Sequence, residues 1–325
     1  MATEHDEVDD EAISEAPREH DTSGPAGDRS AEPTPVIIVG SANMDLVLPD
    51  VERIPSAGET VLSGPLQTLP GGKGANQAAA VAALGTRAIF VGRVGDDDFG
   101  DRVLADLQER SVDTSALTRV AAPTGVAVVM IDGTSENSIV VAPGANASLG
   151  ADSTTLAPEV TSAVVLASLE VPPETVLAWA RLAHRRGWRV VLNPAPAREL
   201  PAELLRLVTV LTPNRHELAA LGVSAADLLA AGVGAVVVTL GADGAELHRP
   251  GAPVVRQSAP RVDAVDTTGA GDAFNGALAA ALAAGRSDED ALAYACAAGA
   301  LATRAVGARA SQPSSAEVEE LLARP

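Results

Sequence analysis

Hydrophobic residues along the chain fall into short β-branched runs set off by glycine or proline. Val36-Ile-Ile-Val39 ends at Gly40 and predicts a buried strand. Ile89-Phe-Val91, Val164-Val-Leu166, Val190-Val-Leu192, Val210-Leu211 and Val236-Val-Val238 have the same character. Between these runs the pattern turns helical or alanine-rich: 74–84, closed by Gly85, then 100–110, 173–186, 199–207, 215–221 and 225–231. Strands alternating with helices predict an α/β fold, a doubly wound and mostly parallel sheet with helices on both faces. The binding crevice of such a sheet lies along the carboxyl ends of its strands. Segments near 45–70 and 116–142 break this rhythm. The first carries turn signals at Pro49, Pro55, Gly58 and Gly64; the second places Val126–Ile131 and Ser138–Val141 around a hairpin-type turn at Asp132-Gly133. Together they predict a small antiparallel β appendage that could serve as a lid.

Composition narrows the class. The chain has 325 residues, 46% hydrophobic and 20% charged, enough to bury a full core. Residues 1–34 hold eleven acidic and two basic side chains, which predicts a disordered acidic tail ahead of a single domain over 35–325. A net charge of −20 and 2% aromatics argue against a phosphate-backbone or single-strand nucleic-acid binder. The single cysteine, Cys296, rules out an intrachain disulfide. Apolar runs are far too short to span a membrane, and the acidic N-terminus lacks the apolar core of a signal peptide, so a cytoplasmic location is expected.

Two glycine-rich stretches carry candidate chemistry. Of 23 basic residues only one is lysine, and that residue, Lys73, lies in Gly71-Gly-Lys-Gly-Ala-Asn76. A Walker A loop is excluded, because Gln67 and Gly74 stand where its Gly and Ser/Thr belong. In Val265-Asp-Thr-Thr-Gly-Ala-Gly-Asp-Ala-Phe274 the glycines permit close backbone approach just before an alanine-rich helix, whose free N–H groups favour an anion. Asp272 sits inside that positive corner, where a carboxylate could accept a proton from an attacking hydroxyl. Plain helix capping by Asp266 or Asp272 is the competing explanation.

The stretch Asp266-Thr-Thr-Gly-Ala-Gly-Asp272 resembles the second signature of the ribokinase-type carbohydrate kinase family, and Gly71–Asn76 resembles its first. Asn193-Pro-Ala-Pro-Ala-Arg-Glu-Leu200, Thr212-Pro-Asn214 and Thr239-Leu-Gly241 resemble further family motifs in the same order, so similarity runs from about Val36 to Ser311. The resemblance implies a Rossmann-like fold with a β lid and an ATP-dependent kinase, with phosphorylation of the 5-hydroxyl of D-ribose as its main expectation. It implies Asp272 as general base, with Gly269, Ala270 and Gly271 forming an anion pocket. It places the sugar on Asn43, Met44, Asp45, Gly72, Lys73, Gly74, Ala75, Asn76, Glu170 and Asp272. It places the nucleotide on Asn214, Thr239, Leu240, Gly241, Ala242, Asp243, Gly244, Gly271 and Asp272. Magnesium would be held through Asn214 and Glu217, and potassium beside Asp266, Thr268, Ala302, Ala305, Gly307 and Ser311. A homodimer formed through the lid is also implied. The chain departs from the family pattern at Arg309-Ala310, where Gln-Pro is more usual before Ser311.

Ordinary readings stand beside these. Glu170 alone reads as a solvated loop acid and Asn43 as a turn residue. Asn214 and Glu217, spaced i, i+3, also suit a helix cap. Cys296 reads as a buried inert thiol, and Trp179 and Trp188 as packing anchors. A kinase for deoxyribose, fructose or adenosine, or a non-catalytic sugar-binding protein on the same scaffold, uses the same residues.

Overall fold

A computed structural model describes residues 33–132 and 137–324. The acidic tail and the Gly133 turn therefore lie outside the described residues, apart from Pro33 and Thr34 at the tail's end.

Nine strands of the described residues form the main sheet. In chain order they are β1 (Val36–Val39), β4 (Ala88–Gly95), β5 (Leu117–Val120), β8 (Val164–Ser168), β9 (Arg189–Asn193), β10 (Val210–Leu211), β11 (Ala235–Thr239), β12 (Ala245–His248) and β13 (Val255–Gln257). Their spatial order is β13-β12-β11-β10-β9-β8-β1-β4-β5. Every neighbouring pair is parallel except β11–β12 and β12–β13. Strand β1 shows why its sequence is apolar throughout. Val36 and Ile38 pack into one core while Ile37 and Val39 pack into a second on the opposite face. The first core is closed by α1 (Lys73–Ala83), α2 (Asp98–Glu109), α7 (Ala270–Ala283), α8 (Asp288–Leu301) and α9 (Ser315–Leu322). The second is closed by α3 (Pro173–Arg186), α4 (Ala202–Leu207), α5 (Arg215–Leu221) and α6 (Ala225–Ala230). Trp179 and Trp188 are both buried in that second core, as packing anchors.

The remaining strands, β2 (Asn43–Val51), β3 (Gln67–Gly71), β6 (Gly125–Asp132) and β7 (Asn137–Ala142), form a separate sheet in the order β3-β2-β6-β7. Two details differ from the expectation for 45–70 and 116–142. Leu117–Val120 does not join the small sheet; it pairs in parallel with β4 at the edge of the main one. The cause is α2, a helical crossover that carries the chain back so that the next strand runs parallel. The small sheet is also mixed, because β2 and β6 pair in parallel while β2–β3 and β6–β7 are antiparallel. Helix α4 starts only at Ala202, three residues later than the sequence pattern predicts, since Pro201 precedes it in extended backbone. Helix α9 lies beyond the predicted elements, although Ser314 and Glu317 form a reciprocal capping box there.

The strand order reverses at β1, with β4 on one side and β8 on the other. Ligands of open α/β sheets bind beyond the strand carboxyl ends at such a point. Asn43 follows β1, Glu170 follows β8, Asn193 ends β9, Asn214 follows β10 and Thr239 ends β11. One edge of the sheet thus collects most of the residues that the sequence nominates.

Candidate active site

Asp272 is on the first turn of α7 and only 8% exposed. That helix is apolar nearly all round, and small residues let it lie close to α1. A Cβ on Gly276 would come within 2.7 Å of the Ala80 side chain. The close approach brings two α1 amides onto the carboxylate. Asn76 Nδ2 donates to Oδ2 at 3.0 Å and Gln77 Nε2 donates to Oδ1 at 3.1 Å. Burial pushes the Asp272 carboxyl up, and the charge on Lys73 and the Asn76 bond pull against it. The result is a fixed carboxylate more basic than an exposed aspartate.

No side chain caps α7. Asp266, the rival candidate for that task, accepts from the backbone N–H of Thr268 at 2.9 Å and of Gly307 at 2.8 Å. The N-cap is Gly269 at φ +80°, and a Cβ there would strike the backbone of Ala308 at 2.6 Å. Only glycine meets both demands. Ala270 N–H is spent on Thr267 O at 3.2 Å. Gly271 instead faces open space, and a methyl added there would have nothing within 4 Å. The positive end of a 14-residue helix therefore opens onto a free volume, with Asp272 the next residue along the helix.

That volume is a cavity of about 1240 Å³. Asn214, Thr239, Leu240, Gly241, Ala242, Gly244, Ala270 and Gly271 line it, as does Cys296 on α8. The Cys296 thiol is pushed up to about 12 by burial, which leaves it inert. Neither Asp243 nor Asp272 is part of the lining; the Asp243 carboxylate pairs with Arg215 at 3.2 Å on the surface. Asn214 and Glu217 form a reciprocal capping box on α5, with Asn214 Oδ1 accepting from Glu217 N at 2.7 Å and Glu217 Oε2 accepting from Asn214 N at 2.8 Å. The capping role is therefore real. It uses one carboxylate oxygen of Glu217 and leaves Oε1, whose group burial pushes above the usual range while Lys73 pulls it down. A carboxylate oxygen and an amide are a sparse hard-oxygen set that suits magnesium carried on phosphates. Among the described residues no cluster of three or more acidic, His or Cys side chains could hold a metal ion alone. Around the last nominated group, Ser311 Oγ donates to Ala302 O, and Ala310 N donates to Gly307 O at 3.4 Å.

On the other side of Asp272 a polar cluster gathers at the β1–β2 corner. Glu170 is not a solvated acid. Its Oε2 accepts from Ser41 Oγ and from the Lys73 backbone N–H at 3.1 Å, and its Oε1 lies 4.0 Å from Lys73 Nζ. Burial works against the Lys73 ammonium, but Asp272, Glu170, Glu217 and Asp45 outweigh it and hold its pKa above the usual value. Asn43 is buried, and its Oδ1 accepts from Asn146 Nδ2 at 2.7 Å. The glycine loop must be tight. Gly72 has φ +89°, and a Cβ on Gly74 would meet Gly40 backbone at 2.6 Å. Two nominated side chains do not face this cluster. Met44 and Ala75 are fully buried in the first core, because β2 alternates and α1 turns that face inward.

Asp45 is pushed up to about 6, by burial above all, with Arg309 and Lys73 opposing and Glu170 and Asp272 reinforcing. The folded chain thus holds this proton more tightly than the unfolded one, and ionisation costs stability as pH rises from about 4 to about 6. At pH 7 the burden is roughly 3 kcal/mol at most. Asp45→Asn should raise the melting temperature at pH 7, and the gain should vanish by pH 4; calorimetry at both pH values checks this.

Ser41, Gln77, Asn146 and Arg309 belong to the site, although the sequence alone does not nominate them. Gln77 leaves a signal, as one of two adjacent amides in an otherwise alanine-rich helix.

Comparison with known proteins agrees with this geometry. A family model described as pfkB family carbohydrate kinase matches residues 34–315. The ribokinase of Bacillus subtilis (strain 168) is 41% identical over 293 residues, covering 88% of this chain and 99% of that protein. The crystal structure of ribokinase from Thermotoga maritima superposes with a TM-score of 0.82 at 35% identity, covering 90% of this chain and 100% of that one. Arabidopsis thaliana ribokinase complexed with ribose and ATP gives a TM-score of 0.81 at 34% identity over 90% and 99% of the two chains. With a family model spanning most of its length and relatives matched nearly end to end, the chain belongs to the pfkB family of carbohydrate kinases.

Proposed function

We propose that the chain transfers the terminal phosphoryl group of ATP to the 5-hydroxyl of D-ribose, giving D-ribose 5-phosphate and ADP. The observation that carries this reading is the position of Asp272. Its carboxylate is held by two α1 amides beside the polar cluster, one residue past Gly271, where the helix N-terminus opens onto a nucleotide-sized cavity.

Asp272 accepts the proton of the 5-hydroxyl as that oxygen bonds to phosphorus and the bond to the leaving ADP oxygen breaks. Asn76 and Gln77 hold the carboxylate still, so no reorientation is needed at the moment of transfer. Asn43, Asp45, Lys73, Asn76 and Glu170 hold the sugar, and the Gly72–Gly74 backbone closes around it. The N–H groups of Gly269 and Gly271 at the start of α7 receive the charge on the moving group. Asn214, Thr239, Gly241 and Gly244 hold the nucleotide. Magnesium on the phosphates supplies charge neutralisation when bound, and Asn214 and Glu217 would hold it there. Asp266, Thr268, Ala302, Ala305, Gly307 and Ser311 would hold a monovalent cation next to the anion pocket.

The small sheet is read as a lid that keeps water from the phosphoryl group. Its outer strand β7 exposes Ile139, Val140 and Val141 at 54%, 63% and 43%, which supports pairing of two lids in a homodimer. No helix among the described residues is long and apolar enough to cross a membrane, and a cytoplasmic enzyme fits this.

A panel of sugars with ATP and magnesium tests the reading. D-ribose should exceed fructose, deoxyribose and adenosine in kcat/KM by about tenfold or more, since unpaired buried donors penalise the wrong hydroxyl pattern. Equal rates across the panel would remove the ribose assignment.

A further inference from the structure

Arg309 is 5% exposed and stands outside the lining of the nucleotide-sized cavity. Its guanidinium joins three separate elements. Nε donates to Asn76 Oδ1 on α1 at 2.8 Å, one terminal nitrogen donates to Gly71 O at the end of β3 at 2.8 Å, and the other pairs with the Asp106 carboxylate on α2. Asp106 is shared with Arg110, whose Nε lies 3.1 Å away and which also donates to the Arg309 carbonyl at 3.2 Å. Burying such a charge is expensive, and replacing a whole buried ion pair by apolar side chains is often neutral or stabilising. Stability alone therefore does not explain the residue.

Orientation does. A guanidinium has five donors and no acceptor. The Asn76 amide must turn its oxygen to Arg309, and its NH₂ is then aimed at Asp272 Oδ2, 3.0 Å away. A flipped amide would set NH₂ against the guanidinium and oxygen against the carboxylate, two repulsive contacts in a dry site. Gly71, the second acceptor, is the last residue before the glycine loop, and a Cβ there would overlap the Asp45 carboxylate. The backbone around Arg309 also reaches the anion pocket, because Ala308 packs directly beneath Gly269.

We propose that Arg309 is a positioning residue of the kinase, fixing the Asn76 amide and the Gly71 carbonyl so that the sugar pocket is set before substrate arrives. This rests on the sugar-kinase reading above. None of the three acceptors lines the nucleotide cavity, so the KM for ATP should be spared.

The test varies D-ribose and ATP separately for Arg309→Met, Asn76→Ala and the double variant. Arg309→Met should lower kcat/KM for ribose by about tenfold to a hundredfold, the range for losing a charged hydrogen bond. The KM for ATP should stay within about twofold. Arg309→Gln, whose amide can still donate to Asn76 Oδ1, should recover most of the loss. In the Asn76→Ala background, Arg309→Met should cost less than about threefold, because its partner is gone. Full additivity of the two changes, an equal rise in the KM for ATP, or ribose kinetics within about twofold of wild type would overturn the proposal. Should Arg309→Met fail to fold, Arg309→Gln decides alone: it keeps the donor to Asn76 Oδ1, so a folded Arg309→Gln chain whose kcat/KM for ribose falls by about tenfold or more would overturn the proposal. A wild-type chain inert towards ribose takes down the parent reading with this one; additivity in an active chain takes down the positioning role alone.

Discussion

Asp272→Asn should reduce kcat by about 10²- to 10⁴-fold while leaving the dissociation constant for ribose within a few-fold of wild type. The amide keeps the shape of the carboxylate but cannot accept the hydroxyl proton as it must. It also turns an NH₂ towards either Asn76 or Gln77, both of which now donate to this position. Burial makes the wild-type group more basic, which suits it to its task but makes its charge costly to keep. The variant should therefore be at least as stable as wild type towards heat. Rapid-quench kinetics with a calorimetric titration of ribose separates the two effects. Undiminished turnover would show that Asp272 is not the base.

Gly271→Ala separates folding from catalysis in another way. Nothing lies within 4 Å of the added methyl, and alanine is the better helix former by about 1 kcal/mol, so the variant should fold and melt no lower than wild type. On the proposed phosphoryl path, the same methyl narrows the free volume that Gly271 lines. Turnover should fall by roughly a hundredfold, the scale of an ångström-sized misplacement of the reacting groups, although the backbone N–H is kept. Gly269 is the contrasting case. Its methyl would strike Ala308 and its φ is positive, so there the damage is to the fold itself. Single-turnover rates and melting curves on the two variants check the contrast; a fully active Gly271→Ala enzyme would move the phosphoryl path elsewhere.

The elements legible in the sequence are those whose signal is local. Val36–Val39 is buried on both faces, so its apolar run is unbroken, and Pro173–Arg186 carries its own helical spacing and a glycine stop at Gly187. Pairing is not local. Leu117–Val120 and Val126–Ile131 lie a few residues apart in one stretch, yet α2 sends the first to the main sheet. The antiparallel strands β12 and β13, at one end of the sheet, leave little trace in the sequence because both are short, at four and three residues, and are held mainly by their neighbours. The site divides along the same line. Glycine loops and the acidic residues within them stand out in the chain, since close backbone approach demands glycine. Asn146 and Arg309 do not, because a distant loop brings each of them to Asn43 or Asn76. Met44 shows the reverse error, a residue inside a motif whose side chain turns to the core.

Lys73 is the only lysine in the chain, and it lies beside Glu170 in the proposed sugar pocket. An amine-directed reagent therefore has one side-chain target in the whole molecule. Its attachment, counted by mass, becomes a direct gauge of how open the pocket is, and a bound sugar should shield it. The surrounding carboxylates favour the ammonium form, so acylation should be slow at neutral pH and quicken in alkali. Composition alone has thus given the enzyme a built-in single-point reporter.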